Sequence, residues 1–317
     1  MPRSSRKCLG PMHPAHWGQW LALGLLWLVA RLPYRGAMRV GEAIGAWAYR
    51  LARKRRAIAN RNLELCFPEL SADARQRLLR SNFRYLGRGV AETGLGWYGG
   101  AAVDRLHCEL HGMEHLEAAR ADGSPVILMS AHFMCVEIAA RLLGAHVDVA
   151  GIYKPMERRP VTDSAMRAAR ARNVTDVLPR EDVRGIVRWL RRGRAVWYAG
   201  DQDYGRRHSV FVPFFGVEAA TVTALSALAR MGRARVVPLF FHALPDDSGY
   251  AIVFEPALSG FPSGDEVADA RRMNEHVEAA VRRHPEQYLW VHRRFKRQPD
   301  RSDVYADLPT SGASGRS

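Results

Sequence analysis

From Pro125 onward the chain alternates short, wholly apolar runs with longer stretches of helical period, and this alternation constrains its fold more than any other feature. Val126-Ile-Leu-Met-Ser-Ala131 reads as a short buried strand and is followed by an apolar helical stretch to Leu143. The same texture returns in the strand candidates Val147–Tyr153, Ala195–Ala199 and Arg235–His242, with Gly249–Phe254 as a hairpin partner and Tyr288–His292 closing the pattern. Between them lie helical patterns at 160–171, 181–192, 219–231 and 265–284. Upstream, 37–59 and 71–97 read as helices interrupted by Cys66-Phe-Pro-Glu-Leu-Ser71, where Ser71 and Asp73 make a helix start. Strands that alternate with helices imply an α/β fold with a mixed central sheet flanked by helices. Sites in such folds gather on loops at the carboxyl ends of strands.

Composition narrows the class of partner. The 317 residues carry 47 Lys and Arg against 32 Asp and Glu, a formal charge of +15. A surplus of this size favours an anionic partner such as nucleic acid, an anionic membrane face, a phosphorylated substrate or an acidic carrier protein. The cysteines, Cys8, Cys66, Cys108 and Cys135, form no CxxC pair. A disulfide scaffold or structural zinc site is therefore not expected, and a reducing compartment is. Residues 299–317, rich in Ser, Gly and Asp, read as a disordered tail.

At the N-terminus, a basic start through Lys7 precedes an apolar run from Trp17 to Ala30. The run is shorter than the ~20 residues that cross a bilayer squarely. A signal peptide would need a small-x-small cleavage site, which is missing, and a soluble core helix would not need Trp17, Trp20 and Trp27 beside flanking arginines. We read residues 1–36 as a membrane-anchoring helix, spanning with help or lying in the interface, ahead of a catalytic domain at 37–298. Basic residues are denser downstream, at Arg31, Arg35, Arg39, Arg50 and Arg53–Arg56, which, if the segment spans, places the main body on the cytoplasmic side.

Chemistry concentrates in three islands. In Ser130-Ala-His132-Phe-Met-Cys-Val-Glu137, His132 follows a buried strand and Glu137 stands five residues on. The two can meet only if a turn separates them, with Glu137 in the first turns of the next helix. One ring nitrogen would then face substrate while the carboxylate holds the other. Gly200-Asp-Gln-Asp-Tyr-Gly205 sets Asp201 and Asp203 at another strand end, suited to orienting a base or holding a basic residue, unless it is simply an Asx-rich turn. Phe211-Val-Pro-Phe-Phe-Gly216 is an apolar loop that could line a hydrocarbon slot or cover the core, and Thr221 and Thr223 follow as a helix start. Arg293-Arg-Phe-Lys-Arg297 offers cations for phosphate groups.

His132-x4-Glu137, Asp201–Gly205 running into Ser209–Gly216, and the closing segment His284–Lys296 resemble the bacterial lipid A late acyltransferases, the lauroyl- and myristoyl-transferring enzymes of the lysophospholipid acyltransferase superfamily. The resemblance covers roughly residues 17–298, and Glu137 rather than Asp is typical of the lipid A branch. It implies an acyltransferase at the cytoplasmic face of the inner membrane, taking a fatty acyl group from acyl carrier protein to a lipid A precursor, with no cofactor or metal and no nucleic acid. On this reading His132 is the general base, Glu137 orients it, and Asp201 holds an arginine or polarises the site. The resemblance places an essential arginine in the run Arg167, Arg170, Arg172 without separating Arg170 from Arg172; Arg170 is assigned the catalytic role and Arg172 a substrate contact. Asp203, Tyr204, Phe211, Phe214, Arg293 and Arg294 complete the expected substrate contacts. Cys135 is given no role. The rival readings are an acyltransferase with another lipid acceptor, a non-catalytic basic membrane-surface protein, and a metallohydrolase; the last lacks any His-Glu-x-x-His or ligand-spaced array.

Overall fold

The structure, a computed structural model, describes residues 10 and 12–309; the basic start through Lys7 and the end of the tail lie outside them. Four helices come first: α1 (Trp17–Val29), α2 (Tyr34–Leu51), α3 (Arg53–Cys66) and α4 (Ala72–Tyr98). A short α5 (Ala101–Asp104) leads into the alternating part: β1 (Cys108–His111), α6 (Met113–Arg120), β2 (Val126–Ser130), α7 (Val136–Gly144), β3 (Val149–Tyr153), α8 (Pro160–Asn173), β4 (Asp176–Pro179), α9 (Val183–Leu190) and β5 (Ala195–Ala199). After a hairpin of β6 (Ser209–Phe214) and β7 (Val217–Val222) come α10 (Ala224–Gly232), β8 (Arg235–Ala243), β9 (Tyr250–Phe254) and α11 (Glu266–Arg283).

Seven strands form one mixed sheet in the order β1-β9-β8-β2-β5-β3-β4, in which only the β8–β9 pair is antiparallel. β2 is buried along its whole length because helices cover both of its faces. The right-handed crossovers that run from β2 to β3 and from β3 to β4 put α7 and α8 on one face. Those from β4 back to β5 and from β5 to β8 run the other way and put α9 and α10 on the opposite face. The N-terminal helices stack on the α7–α8 side: α4 packs on α7 and α8, and α1 and α2 pack on α4. α2 meets α4 closely because Gly41, Gly45 and Gly87 face each other; a Cβ on Gly87 would stand 2.0 Å from the Gly41 carbonyl oxygen.

Several expectations change here. No helix among the described residues is long and apolar enough to cross a membrane, and α1, with 13 residues, spans only about 20 Å. Its exposed Trp17, Leu21, Leu25 and Leu28 instead form one stripe along the outer surface, and Val40, Ile44, Trp47 and Leu51 form a second on α2. The expected strand at Tyr288–His292 is absent. Asn82 takes the Glu286 and Tyr288 carbonyls and Asn62 takes those of Trp290 and His292, so side-chain amides replace a ladder and only the Phe133–Tyr288 bridge remains. The apolar loop at 211–216 is mostly strand β6, and the helix expected from 219 starts at Ala224, with Thr221 inside β7. The tail through Pro309 folds back rather than dangling. Tyr305 is buried, its hydroxyl donating to Asn62 and accepting from the Phe295 amide, while Arg61 holds the Val304 carbonyl.

Candidate active site

The parallel pairing of β2 with β5 builds the site. Ser130 and Ala199 are register partners at the carboxyl ends of these neighbouring strands. Two residues beyond each stand His132 and Asp201, which therefore meet although 69 positions separate them in sequence. His132 Nδ1 lies 2.6 Å from Asp201 Oδ1, and the His132 amide donates to Asp201 Oδ2 at 3.0 Å. The Tyr288 hydroxyl donates to the same Oδ2 at 2.8 Å. Asp201 is buried, yet its contact with His132 and these donors outweighs that burial and holds its carboxyl well below the usual range. For His132 burial opposes the charged form, but Asp201 wins and raises the ring above its ordinary 6.5 in spite of the opposing charge of Arg170. Nδ1 is thus the protonated nitrogen and Nε2 keeps its lone pair. The His132 side chain is 30% exposed, so the residue is not sealed in the core.

Glu137 does not touch His132. It lies in the first turn of α7 but turns toward α8 and α4, where Arg170 grips it through both Nη2 and, at 3.2 Å, Nε. Trp97 Nε1 donates to Glu137 Oε2 at 2.8 Å. The expected His132–Glu137 pair is therefore corrected to His132–Asp201 and Glu137–Arg170, and Asp201 holds the base rather than an arginine. The reason is geometric. The turn Ala131–Cys135 ends with Glu137 facing α8, while the strand register brings Asp201 directly to the ring. Burial works against the Arg170 cation, but the Glu137 carboxylate keeps its pKa above the ordinary value, so this guanidinium stays charged. Cys135 is buried with its thiol pushed well up, which leaves no thiolate to act as a nucleophile.

A profile for bacterial lipid A biosynthesis acyltransferases matches residues 9–297. The lipid A biosynthesis lauroyltransferase of Escherichia coli K12 is 40% identical over 290 residues, which cover 91% of this chain and 94% of that enzyme. The chain belongs to the bacterial lipid A biosynthesis acyltransferase family. The palmitoleoyltransferase of the same strain is 38% identical over 91% of this chain and 94% of its own length, and the myristoyltransferase 30% identical over 92% and 91%.

Other residues expected to touch substrate in this acyltransferase have work elsewhere. Phe214 is fully buried, ringed by Phe215, Tyr288 and Phe295, so it is core rather than slot; Phe211 lies half-buried beneath the Arg206 guanidinium. Arg294 is buried and spends its donors on the Ala220 carbonyl and Thr221 Oγ1, and Arg293 clasps Asp303 and stacks on Tyr305. Arg294 is thus committed to the core, while Arg293 is engaged through Nη2 and keeps a partly exposed side chain. Asp203 accepts from the Gly205 amide and pairs with Arg297, as an Asx turn with an ion pair. Arg172 is exposed and donates to the Trp97 carbonyl, beside the Glu137–Arg170 pair. Tyr204 remains at the surface, with Arg180 over its ring at 4.8 Å. Among the described residues no cluster of His, Cys, Asp or Glu could hold a metal ion.

Two residues outside the expected set complete the site. Tyr288 fixes Asp201. His292 accepts from the Asp203 amide, and burial pushes its pKa down to about 4, so it stays neutral beside the charged pair. The detectable signal was their place in the closing motif, His284–Lys296, read there as a strand.

Proposed function

We propose that this acyltransferase moves a fatty acyl chain, laurate or myristate, from acyl carrier protein to a hydroxyl on an acyl chain of a phosphorylated glucosamine disaccharide, the lipid A precursor. The observation that carries the reading is the imidazole of His132, held through Nδ1 by a buried carboxylate while its side chain stays partly exposed. Nε2 takes the proton of the acceptor hydroxyl as its oxygen attacks the thioester carbonyl. Asp201 stabilises the imidazolium so formed. The tetrahedral intermediate collapses by breaking the C–S bond, and the departing thiolate recovers the proton from Nε2. Arg170, kept charged by Glu137, supplies the positive field beside the developing oxyanion. No acyl-enzyme and no cofactor enter this route. The names of the relatives support lipid A biosynthesis as the setting, and the net charge of +15 suits an acidic acceptor.

The same reading places the enzyme at the cytoplasmic face of the inner membrane. The acceptor is a lipid, and the two exposed apolar stripes of α1 and α2 suit helices lying in the headgroup region rather than crossing it. Arg31 over the Trp27 ring at 4.5 Å sets a cation at the edge of that surface. The test is transfer of laurate from lauroyl acyl carrier protein to the disaccharide precursor, with lysophosphatidic acid as a control acceptor. His132→Ala should lose about two to four powers of ten in rate while melting as the parent does. Near-normal turnover in that variant, or acylation of lysophosphatidic acid alone, would overturn the proposal.

A further inference from the structure

We propose that the exposed face of α9 is the docking surface for the acidic protein that carries the acyl donor, an inference that rests on the donor named above. α9 buries Ile186, Trp189 and Leu190 against the sheet and α10. Outward, Arg184, Arg188, Arg191 and Arg192 fall on one stripe at helical spacing, with the exposed Val183 beside them and Met231 of α10 forming an apolar edge. Arg191 spends its Nε on the Met231 carbonyl. Among the described residues no carboxylate pairs with Arg184, Arg188 or Arg192, whereas the arginines around the active site, Arg170, Arg293 and Arg297, are all paired. The neighbouring acids are spent: Asp182 caps α9 through the Gly185 amide and Glu181 holds Arg180.

Like charges four residues apart on a helix repel one another, so this stripe lowers the stability of the free protein. A helix that needed only solvation would gain from an interspersed Glu. An acidic helix laid on α9 would instead neutralise the stripe and cover Val183 and Met231 along its edge.

Two features choose a soluble acidic protein over a membrane as the occupant. The apolar stripes of α1 and α2 lie on the α4–α7–α8 side of the sheet, and α9 lies on the opposite side, so one flat membrane cannot contact both. In addition, α9 starts just beyond the carboxyl end of β4, the same edge of the sheet that carries His132 and Asp201. The Arg180–Tyr204 stack joins the loop that opens α9 to the loop that carries Asp201. The carrier would thus load from one side of the sheet while the acceptor arrives from the other.

The experiment compares the parent with Arg184→Glu/Arg188→Glu, two surface positions outside the catalytic machinery. Binding of lauroyl acyl carrier protein is read by fluorescence anisotropy, and transfer is read with that donor and with lauroyl-pantetheine, which lacks the protein. We expect the variant to bind the carrier at least about tenfold more weakly and to raise its KM to match. Its kcat, its use of lauroyl-pantetheine and its binding to phosphatidylglycerol vesicles should not change. The parent's carrier affinity should fall with added salt and the variant's should not. Equal carrier binding by both proteins overturns the docking surface, and so does a loss of vesicle binding in the variant, which would make α9 a membrane contact. Failure of the parent to transfer from either donor would reject the proposed function, while the binding comparison would still decide the docking.

Discussion

His132 holds its proton on Nδ1 because its partner there at 2.6 Å, Asp201, is an ionised and buried acceptor. The second carboxylate of the site works through Arg170, and the pair is shut away: its side chains are 24% and 9% exposed. Removing one member therefore strands the other. Arg170→Gln should cost about 3–5 kcal/mol, and Glu137→Gln added to it should restore part of that loss; chemical denaturation of the single and double variants measures both. Equal stability of the two variants would mean that the pair is not buried in solution. His132 and Asp201 were legible in the sequence as polar residues at strand ends, Glu137 as an acid in the first turn of the next helix, and Arg170 only through the family resemblance. The partnership was not, because spacing along the chain suggests Glu137, five residues away, and says nothing of Asp201 until β2 and β5 are known to be neighbours.

At the scale of elements, the strands buried on both faces, β2, β3, β5, β8 and β9, were readable from their apolar runs, and most helices from their period. The β6–β7 hairpin was not, because Pro213 interrupts its first strand; a two-stranded ribbon tolerates the lost donor that a central strand would not. Helix contacts were equally hidden. Gly87 in the middle of α4 is a poor helix residue, and replacing it with Ala in isolation would gain about 1 kcal/mol. Here the added methyl would strike backbone on α2, where no side chain can move aside. We expect Gly87→Ala to destabilise by about 1–3 kcal/mol, seen as a lower Tm; a higher Tm would contradict the close α2–α4 packing. The α1 stripe behaves oppositely. Trp17 and Leu21 are 64% and 67% exposed, so Trp17→Ser/Leu21→Ser/Leu28→Ser should leave the Tm unchanged while weakening flotation with anionic vesicles several-fold. Unchanged flotation would remove α1 from the membrane contact.

For the molecule as a whole, the sheet divides the labour. One side stacks helices that end in apolar stripes, the other carries an unpaired basic helix, and the carboxyl edge between them assembles the reacting groups. The charge of +15 signalled anionic partners from the sequence but not their places, since those depend on which crossover takes which face. The His132–Asp201 pair exists only once the sheet has formed, so its titration reports on the assembled site. In the parent, kcat/KM should rise with pH and level off as His132 loses its proton, with a midpoint above the ordinary 6.5 because Asp201 favours the imidazolium. Asp201→Asn removes that influence and leaves burial and Arg170, which both favour the neutral ring. The most direct measurement is this pH profile in parent and variant. The midpoint should move to lower pH in Asp201→Asn, with a plateau about two or more powers of ten down; an unmoved midpoint with a near-normal plateau would contradict the account.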